Sequence, residues 1–166
     1  DGVLVKVPYK GTFVAQQIMK PSWGTYDDAN DHRGFSSFLK AQGYSISSKV
    51  LVSEKIEPTT SIRARLKLEE GEDVYCLERV RYYNDEPFSL EIAYIPYKYV
   101  EGIEEYDFSK VSLYDFMATK GHDPYNFHRS LIVQFPDERV SKLLGNMKEP
   151  VYRFQYIGYD QENNVV

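Results

Sequence analysis

Val74-Tyr75-Cys76-Leu77-Glu78-Arg79-Val80-Arg81-Tyr82-Tyr83, then Asn84-Asp85-Glu86, then Pro87-Phe88-Ser89-Leu90-Glu91-Ile92-Ala93-Tyr94: this stretch decides the fold. Two runs rich in β-branched and aromatic residues flank a short polar turn, the pattern of a β-hairpin. Side chains alternate faces along a strand. Leu77, Arg79 and Arg81 are therefore predicted to share one face, and Cys76, Val80 and Tyr82 the other. A hairpin centred on Asp85 sets Arg79 opposite Glu91 and Arg81 opposite Ser89. Two arginines, a carboxylate and a hydroxyl then stand together. Buried charge is costly unless it is paired or liganded. The cluster points to a site for a small anionic molecule.

Outward from the hairpin, the chain alternates short elements with turn signals. Gly2 to Val7 and Thr12 to Ala15 read as a two-stranded ribbon turned at Tyr9-Lys10-Gly11. Such a ribbon is marginal alone and belongs to something larger. Lys20 to Arg33 is polar, broken by Pro21 and Gly24, and reads as a linker. Phe35, Phe38 and Leu39 have helical spacing, with Gly43 as the stop. Ser45 to Ile56 reads as a strand alternating around Val50 and Val52. Ser61 to Leu66 reads as a short helix, and Pro96 to Asp107 as irregular. Ser112 is an N-cap for a helix through Thr119 that stops at Gly121. Asn126 to Gln134 and Val151 to Tyr159 read as strands. Between them Pro136-Asp137-Glu138 opens a helix with Val140, Leu143 and Leu144 inward. Val165-Val166 begins a further strand. Strands outnumber helices, so the fold class is α+β, a mostly antiparallel sheet packed with short helices.

Composition narrows the function classes. With 166 residues, 42% hydrophobic and 15% aromatic, the chain is large enough to bury a core. A net charge of −5 argues against direct grip on a phosphate backbone. The single cysteine, Cys76, excludes an internal disulfide and reads as a buried strand residue. His32, His122 and His128 have no zinc spacing. Asp27, Asp28 and Asp31 lack the glycine and closing glutamate of a calcium loop. No metal or cofactor is expected. No apolar run approaches the roughly 18 residues of a membrane span, and no signal peptide is visible. A cytoplasmic protein is expected.

Four segments, in order, resemble the UTRA effector-binding domain of GntR-family bacterial transcription regulators of the HutC branch. Lys10-Gly11-Thr12-Phe13-Val14 is similar to the end of the family's winged helix-turn-helix wing. Phe35 to Leu51 is similar to the entry into the ligand domain. Leu77 to Arg81, Asp85-Glu86-Pro87 and Glu91 to Pro96 follow the L-x-R-x-R, turn-Pro and E-x-x-Y-x-P signature. Ser112-Leu113-Tyr114 matches the S-L-Y helix start. The resemblance implies a chorismate-lyase-like fold with an enclosed ligand pocket. It divides the chain into a wing remnant at 1–15, a linker at 16–33, and an effector-binding and dimerising domain at 34–166. It further implies DNA-reading helices outside this polypeptide, a homodimer, and operator DNA as the partner of the missing part. Tyr9 departs from the wing's usual glycine. His122 stands where some sugar-phosphate-sensing members present an arginine.

Carried over residue by residue, the resemblance assigns phosphate contacts to Arg79, Arg81, Ser112 and Ser36. It assigns sugar hydroxyls to Glu91, and pocket walls to Tyr114 and Tyr94. No catalytic residue is expected. Elementary chemistry agrees for the arginines, whose planar guanidinium grips phosphate or carboxylate through paired hydrogen bonds. For Arg79 and Glu91 the alternative is a cross-strand ion pair, and for Ser112 a plain helix cap. Two other functions fit the same fold: a chorismate-lyase-like enzyme, and a dimerisation domain that binds no metabolite.

Overall fold

The computed structural model describes residues 4–7, 11–14 and 45–166. The expected linker at 16–33, the helix at 35–42 and Ser36 lie outside the described residues. The chain divides into two compact units, Asp1–Asp31 and His32–Val166. In the first, β1 (Leu4–Val7) pairs antiparallel with β2 (Gly11–Val14), Leu4 facing Val14. The expected ribbon is there.

The second unit is built on the hairpin. Its strands are β4 (Val74–Tyr83) and β5 (Glu86–Pro96), joined through Asn84 and Asp85. Both turn residues have positive φ, 46° and 68°. A two-residue turn of that kind matches the twist of the strands it joins, and Asn and Asp tolerate it. The turn is thus one residue shorter than the expected Asn84-Asp85-Glu86. A β-bulge compensates: Tyr82 faces Pro87, but Arg81 faces Ser89, leaving Phe88 as the extra residue. Pro87 has no N–H to complete a regular ladder, a natural place for the irregularity.

β3 (Ile46–Ile56) pairs antiparallel on the other side of β4, giving the order β3-β4-β5. It too has a bulge: Val50 faces Arg79, whereas Val52 faces Glu78. Val50 and Val52 therefore lie on opposite faces of the sheet, correcting the simple alternation expected around them. α1 (Thr60–Leu66) follows, with the Thr59 hydroxyl accepting from the Ile62 N–H at 3.3 Å.

The core lies on one face of the hairpin. Tyr75, Leu77 and Ile95 pack there with Val100, Ile103, Phe108, Leu113, Phe116, Met117 and Val166. The segment expected to be irregular contains two single 3-10 turns, Tyr97–Tyr99 and Ile103–Glu105. It carries Phe108 across the core face. α2 (Leu113–Thr119) buries Leu113, Phe116 and Met117 on that face and ends before Gly121, whose φ is 75°.

A second antiparallel sheet is formed by β6 (Asn126–Gln134) and β7 (Val151–Tyr159), with Leu131 facing Phe154. Between them α3 (Glu138–Leu143) is capped by Asp137, whose carboxylate accepts from the Val140 N–H at 2.8 Å. Val140, Leu143 and Leu144 are only half-buried. After a turn at Asp160, the Val166 N–H donates to the Gly158 carbonyl at 3.0 Å, and Val165 bridges Tyr159. Antiparallel strands dominate and the helices are short, as the hydrophobic periodicities predict.

Candidate functional site

β4 changes character along its inner face. Tyr75 and Leu77 are apolar and join the core; the next two inward residues are Arg79 and Arg81. Each is only 7% exposed. Opposite them on β5 stand Glu91 and Ser89. The Phe88 bulge makes this pairing. An unbulged two-residue hairpin would shift β5 by one residue, and a one-residue slip turns every side chain to the other face. Glu91 would then face Glu78, on the side of the sheet away from the arginines.

The Arg79 Nη2 donates to Glu91 Oε2 at 2.9 Å, and its Nη1 to the Phe108 carbonyl at 3.3 Å. Arg81 Nε lies 3.8 Å from Glu91 Oε1, an ion-pair contact beyond hydrogen-bond length. Both Nε groups are buried with no hydrogen-bond partner among the described residues. Burial pushes the Arg81 pKa down; Glu91 opposes this and the Arg79 charge adds to it. Two guanidinium charges thus share one carboxylate. A buried cation that is incompletely paired is costly, so the arrangement favours a further anion.

The other expected site residues divide. α2 packs on the same core face, so Ser112 and Tyr114 belong to the arginines' side of the sheet. The Ser112 hydroxyl accepts from the Asp115 N–H at 3.3 Å, a helix cap. Tyr114 is half-buried against the core, its ring 6.3 Å from that of Phe127. Tyr94 is not brought to this group. It faces Cys76 across the ladder, on the opposite face from Arg79, Arg81 and Glu91. The reason is the period of two: Tyr94 is an odd number of residues from Glu91. Burial, with help from Glu78, pushes the Cys76 thiol up, as suits a small buried side chain.

Sequence reasoning missed three long-range contacts, one of them at the site itself. The Phe108 carbonyl, 29 residues away, holds Arg79. On the reverse face Glu78, 6% exposed, receives Arg139 of α3 at 2.8 Å on Oε2. Its Oε1 lies 2.7 Å from the same Nη2 but outside hydrogen-bond geometry, so that contact is electrostatic. His122 Nδ1 lies 3.0 Å from the buried Asp160 carboxylate, and its ring is 4.3 Å from that of Tyr99. The short-range signals of pattern and turn residues carry no information on these pairings. Among the described residues no group of His, Cys, Asp or Glu could hold a metal ion, and no helix is long and apolar enough to cross a membrane.

A family model described as the UTRA domain matches residues 41–166. The chain is 30% identical over 161 residues to the HTH-type transcriptional regulator GmuR of Bacillus subtilis, covering 96% of this chain and 66% of that protein. It is 26% identical over 168 residues to a probable fructoselysine utilization operon transcriptional repressor of Shigella flexneri, covering 100% of this chain and 66% of that one. It thus spans just under two thirds of both relatives. Its fold resembles the effector domain of PhnF from Mycobacterium smegmatis, with a TM-score of 0.75 at 23% identity, covering 81% of this chain and 84% of that one. These curated relatives are regulators, not enzymes, so the lyase reading falls.

Proposed function

The chain belongs to the UTRA domain family, and on that premise we propose that it is the effector-sensing part of a transcription regulator, binding a small anionic metabolite at Arg79 and Arg81. The observation that carries this reading is the charge imbalance on the inner face of β4. Two buried guanidinium groups meet one carboxylate, and neither Nε has a hydrogen-bond partner among the described residues. A phosphate or carboxylate supplies the missing acceptors and the missing negative charge. Glu91, already oriented by Arg79, accepts hydroxyl hydrogens from the rest of the ligand, and Tyr114 forms a wall. Ser112 adds a hydroxyl at the start of α2. Ser36 completes the set, as the family resemblance implies. A sugar phosphate has this combination of groups, and the name of one relative refers to fructoselysine utilization.

DNA contact belongs to the wing at 1–15 and to helices preceding it in the full-length regulator. The chain's net charge of −5 gives it no counterion-release affinity of its own. The effector controls operator affinity by binding one arrangement of the regulator better than another.

Calorimetric titration of the chain tests the site, using hexose phosphates, the same sugars without phosphate, inorganic phosphate and short dicarboxylates. Binding restricted to the anionic compounds, and lost in Arg81→Ala, supports the reading. Binding of none, or equal binding of charged and uncharged sugars, sinks it and favours the dimerisation domain that carries no metabolite.

A further inference from the structure

Glu78 and Arg79 are neighbours on β4, so they point to opposite faces of the sheet. Arg79 belongs to the anion site. Glu78 faces the other way, where its cross-strand neighbours are Val52 on β3 and Ile92 on β5. A carboxylate only 6% exposed beside apolar neighbours needs a cation. Among the described residues Arg139 is the one that pairs with it, Nη2 donating to Oε2 at 2.8 Å. The second oxygen, Oε1, is buried without a hydrogen-bond partner among the described residues. The pair is therefore incomplete and can tighten. Arg139 comes from a lightly held segment. No residue from 136 to 150 is fully buried, and the Arg139 side chain is 57% exposed. The segment keeps its own shape: Ser141 Oγ donates to the Met147 carbonyl at 2.7 Å, and the Met147 N–H to the Ser141 carbonyl at 3.1 Å. Elements with few buried contacts open and close at low cost.

We propose that Arg139 senses the charge on the far face of β4: it closes on Glu78 when an anion occupies Arg79 and Arg81, so that effector occupancy is read out as firmer docking of α3. The inference rests on the anion reading of that site. The cause is charge balance. Residues 78–81 of β4 hold one carboxylate and two guanidinium groups. Without effector, the two arginines share only Glu91 on their own side and help offset the Glu78 charge through the sheet. A bound anion neutralises them and leaves Glu78 to Arg139. The orphan Oε1 then draws the guanidinium into a two-bond fork, the stronger geometry for such a pair. Coupling of this kind is reciprocal. A Glu78 deprived of Arg139 opposes the anion from behind. Unit charges on the order of 10 Å apart, at an effective dielectric of about 20, change each other's binding by about tenfold.

The test uses the full-length regulator and whichever hexose phosphate, inorganic phosphate or short dicarboxylate binds it most tightly in calorimetric titration. Arg139→Ala is expected to weaken that binding about tenfold. Glu78→Gln is expected to leave it equal to the parent or tighter, and the double variant to bring it back near the parent value. A pair that only holds the fold would lose affinity in both single variants, since either one breaks it. Hydrogen exchange gives a second readout that needs no variant to fold. The anion should slow exchange at the Ser141 and Leu144 amides of α3, and in Glu78→Gln it should not. Equal losses in the two single variants overturn the inference. So does an affinity indifferent to Arg139→Ala, or α3 exchange in the parent that a saturating anion leaves unchanged. Those results would leave the anion site standing. If no anion of the series binds the parent protein, the reading at Arg81 fails and this inference fails with it.

Discussion

Arg81 is the residue on which ligand binding depends most. Its guanidinium is as buried as that of Arg79 but has only a 3.8 Å contact to Glu91, whereas Arg79 is held by Glu91 and the Phe108 carbonyl. Arg81→Ala removes a charge-assisted contact to the effector and should cost roughly 1.5–3 kcal/mol of binding, about ten- to a hundredfold. Its melting temperature should stay near that of the parent chain, because little native pairing is lost. Arg81→Lys should recover only part of the affinity, since an ammonium cannot form the planar fork. Arg79 and Glu91 should behave differently. Each single alanine variant should lower stability in the absence of ligand, by roughly 1–3 kcal/mol. The double variant should lose less than the sum of the singles. Denaturant titrations of the four proteins measure that coupling; strict additivity would remove Arg79 from its structural role.

At the scale of elements, the hairpin turn and its bulge set the site. Asn84 and Asp85 both occupy left-handed backbone. Asp85→Val should destabilise the chain by about 1–2 kcal/mol, because a β-branched side chain is strained there. Asp85→Gly should be tolerated. Chemical denaturation of the two variants gives the comparison, and equal stabilities would contradict the turn geometry. Deleting Phe88 would remove the extra residue and with it the bulge, while keeping Arg81 opposite Ser89 and Arg79 opposite Glu91. The deletion variant should therefore keep effector binding in a calorimetric titration, and loss of binding in a protein whose circular dichroism reports a folded sheet would show that the local bend of the bulge also aims the site residues. α2 depends on its cap: Ser112→Ala should cost about 1 kcal/mol of stability, and any additional loss of effector affinity would mark the hydroxyl as a contact.

At the scale of the molecule, Asp160 ties the end of α2 to the turn after β7. It is 4% exposed and accepts hydrogen bonds from the Glu162 and Asn164 N–H groups and the Asn164 amide, with His122 at 3.0 Å. Burial alone would raise its pKa. The hydrogen bonds from Asn164 and His122 outweigh that and hold the carboxyl below its usual value. A carboxyl whose folded pKa is lowered binds its proton more readily unfolded. Its stabilisation is therefore complete above the ordinary carboxyl pKa near 4 and is lost as pH falls through the lowered folded value. Asp160→Asn should be destabilised near neutral pH, and the gap to the parent chain should narrow as pH falls below about 4. Thermal melts from neutral to acid pH measure it; a constant gap would show that Asp160 acts only through packing. The 166-residue chain by itself should give no salt-sensitive shift of operator DNA in a gel, since its net charge of −5 opposes a phosphate backbone.

The sequence by itself determined the elements and the facing of the arginines. Period-two runs, capping residues and glycine stops act within a few positions, so β4, β5, α2, β6 and β7 were legible from local pattern alone. Even the register of Arg79 against Glu91 followed from centring the hairpin on Asp85, although by a different route. A three-residue turn and a two-residue turn with one bulge displace β5 equally, and the alternation pattern beyond Ser89 is the same for both. The chain pattern also assigned the family, because its motifs recur in order along the strand and helix starts. Tertiary structure alone decided what meets the two sides of β4 and what ties the end of α2 to the turn after β7. Phe108 reaches Arg79 across 29 residues, Arg139 reaches Glu78 across 61, and Asp160 reaches His122 across 38. The Val50–Val52 bulge and the face on which Tyr94 lies belong to the same class. A local signal reports the conformation of a few residues. Which distant carbonyl or carboxylate satisfies a buried guanidinium is settled only when the core closes and every buried polar group must find a partner.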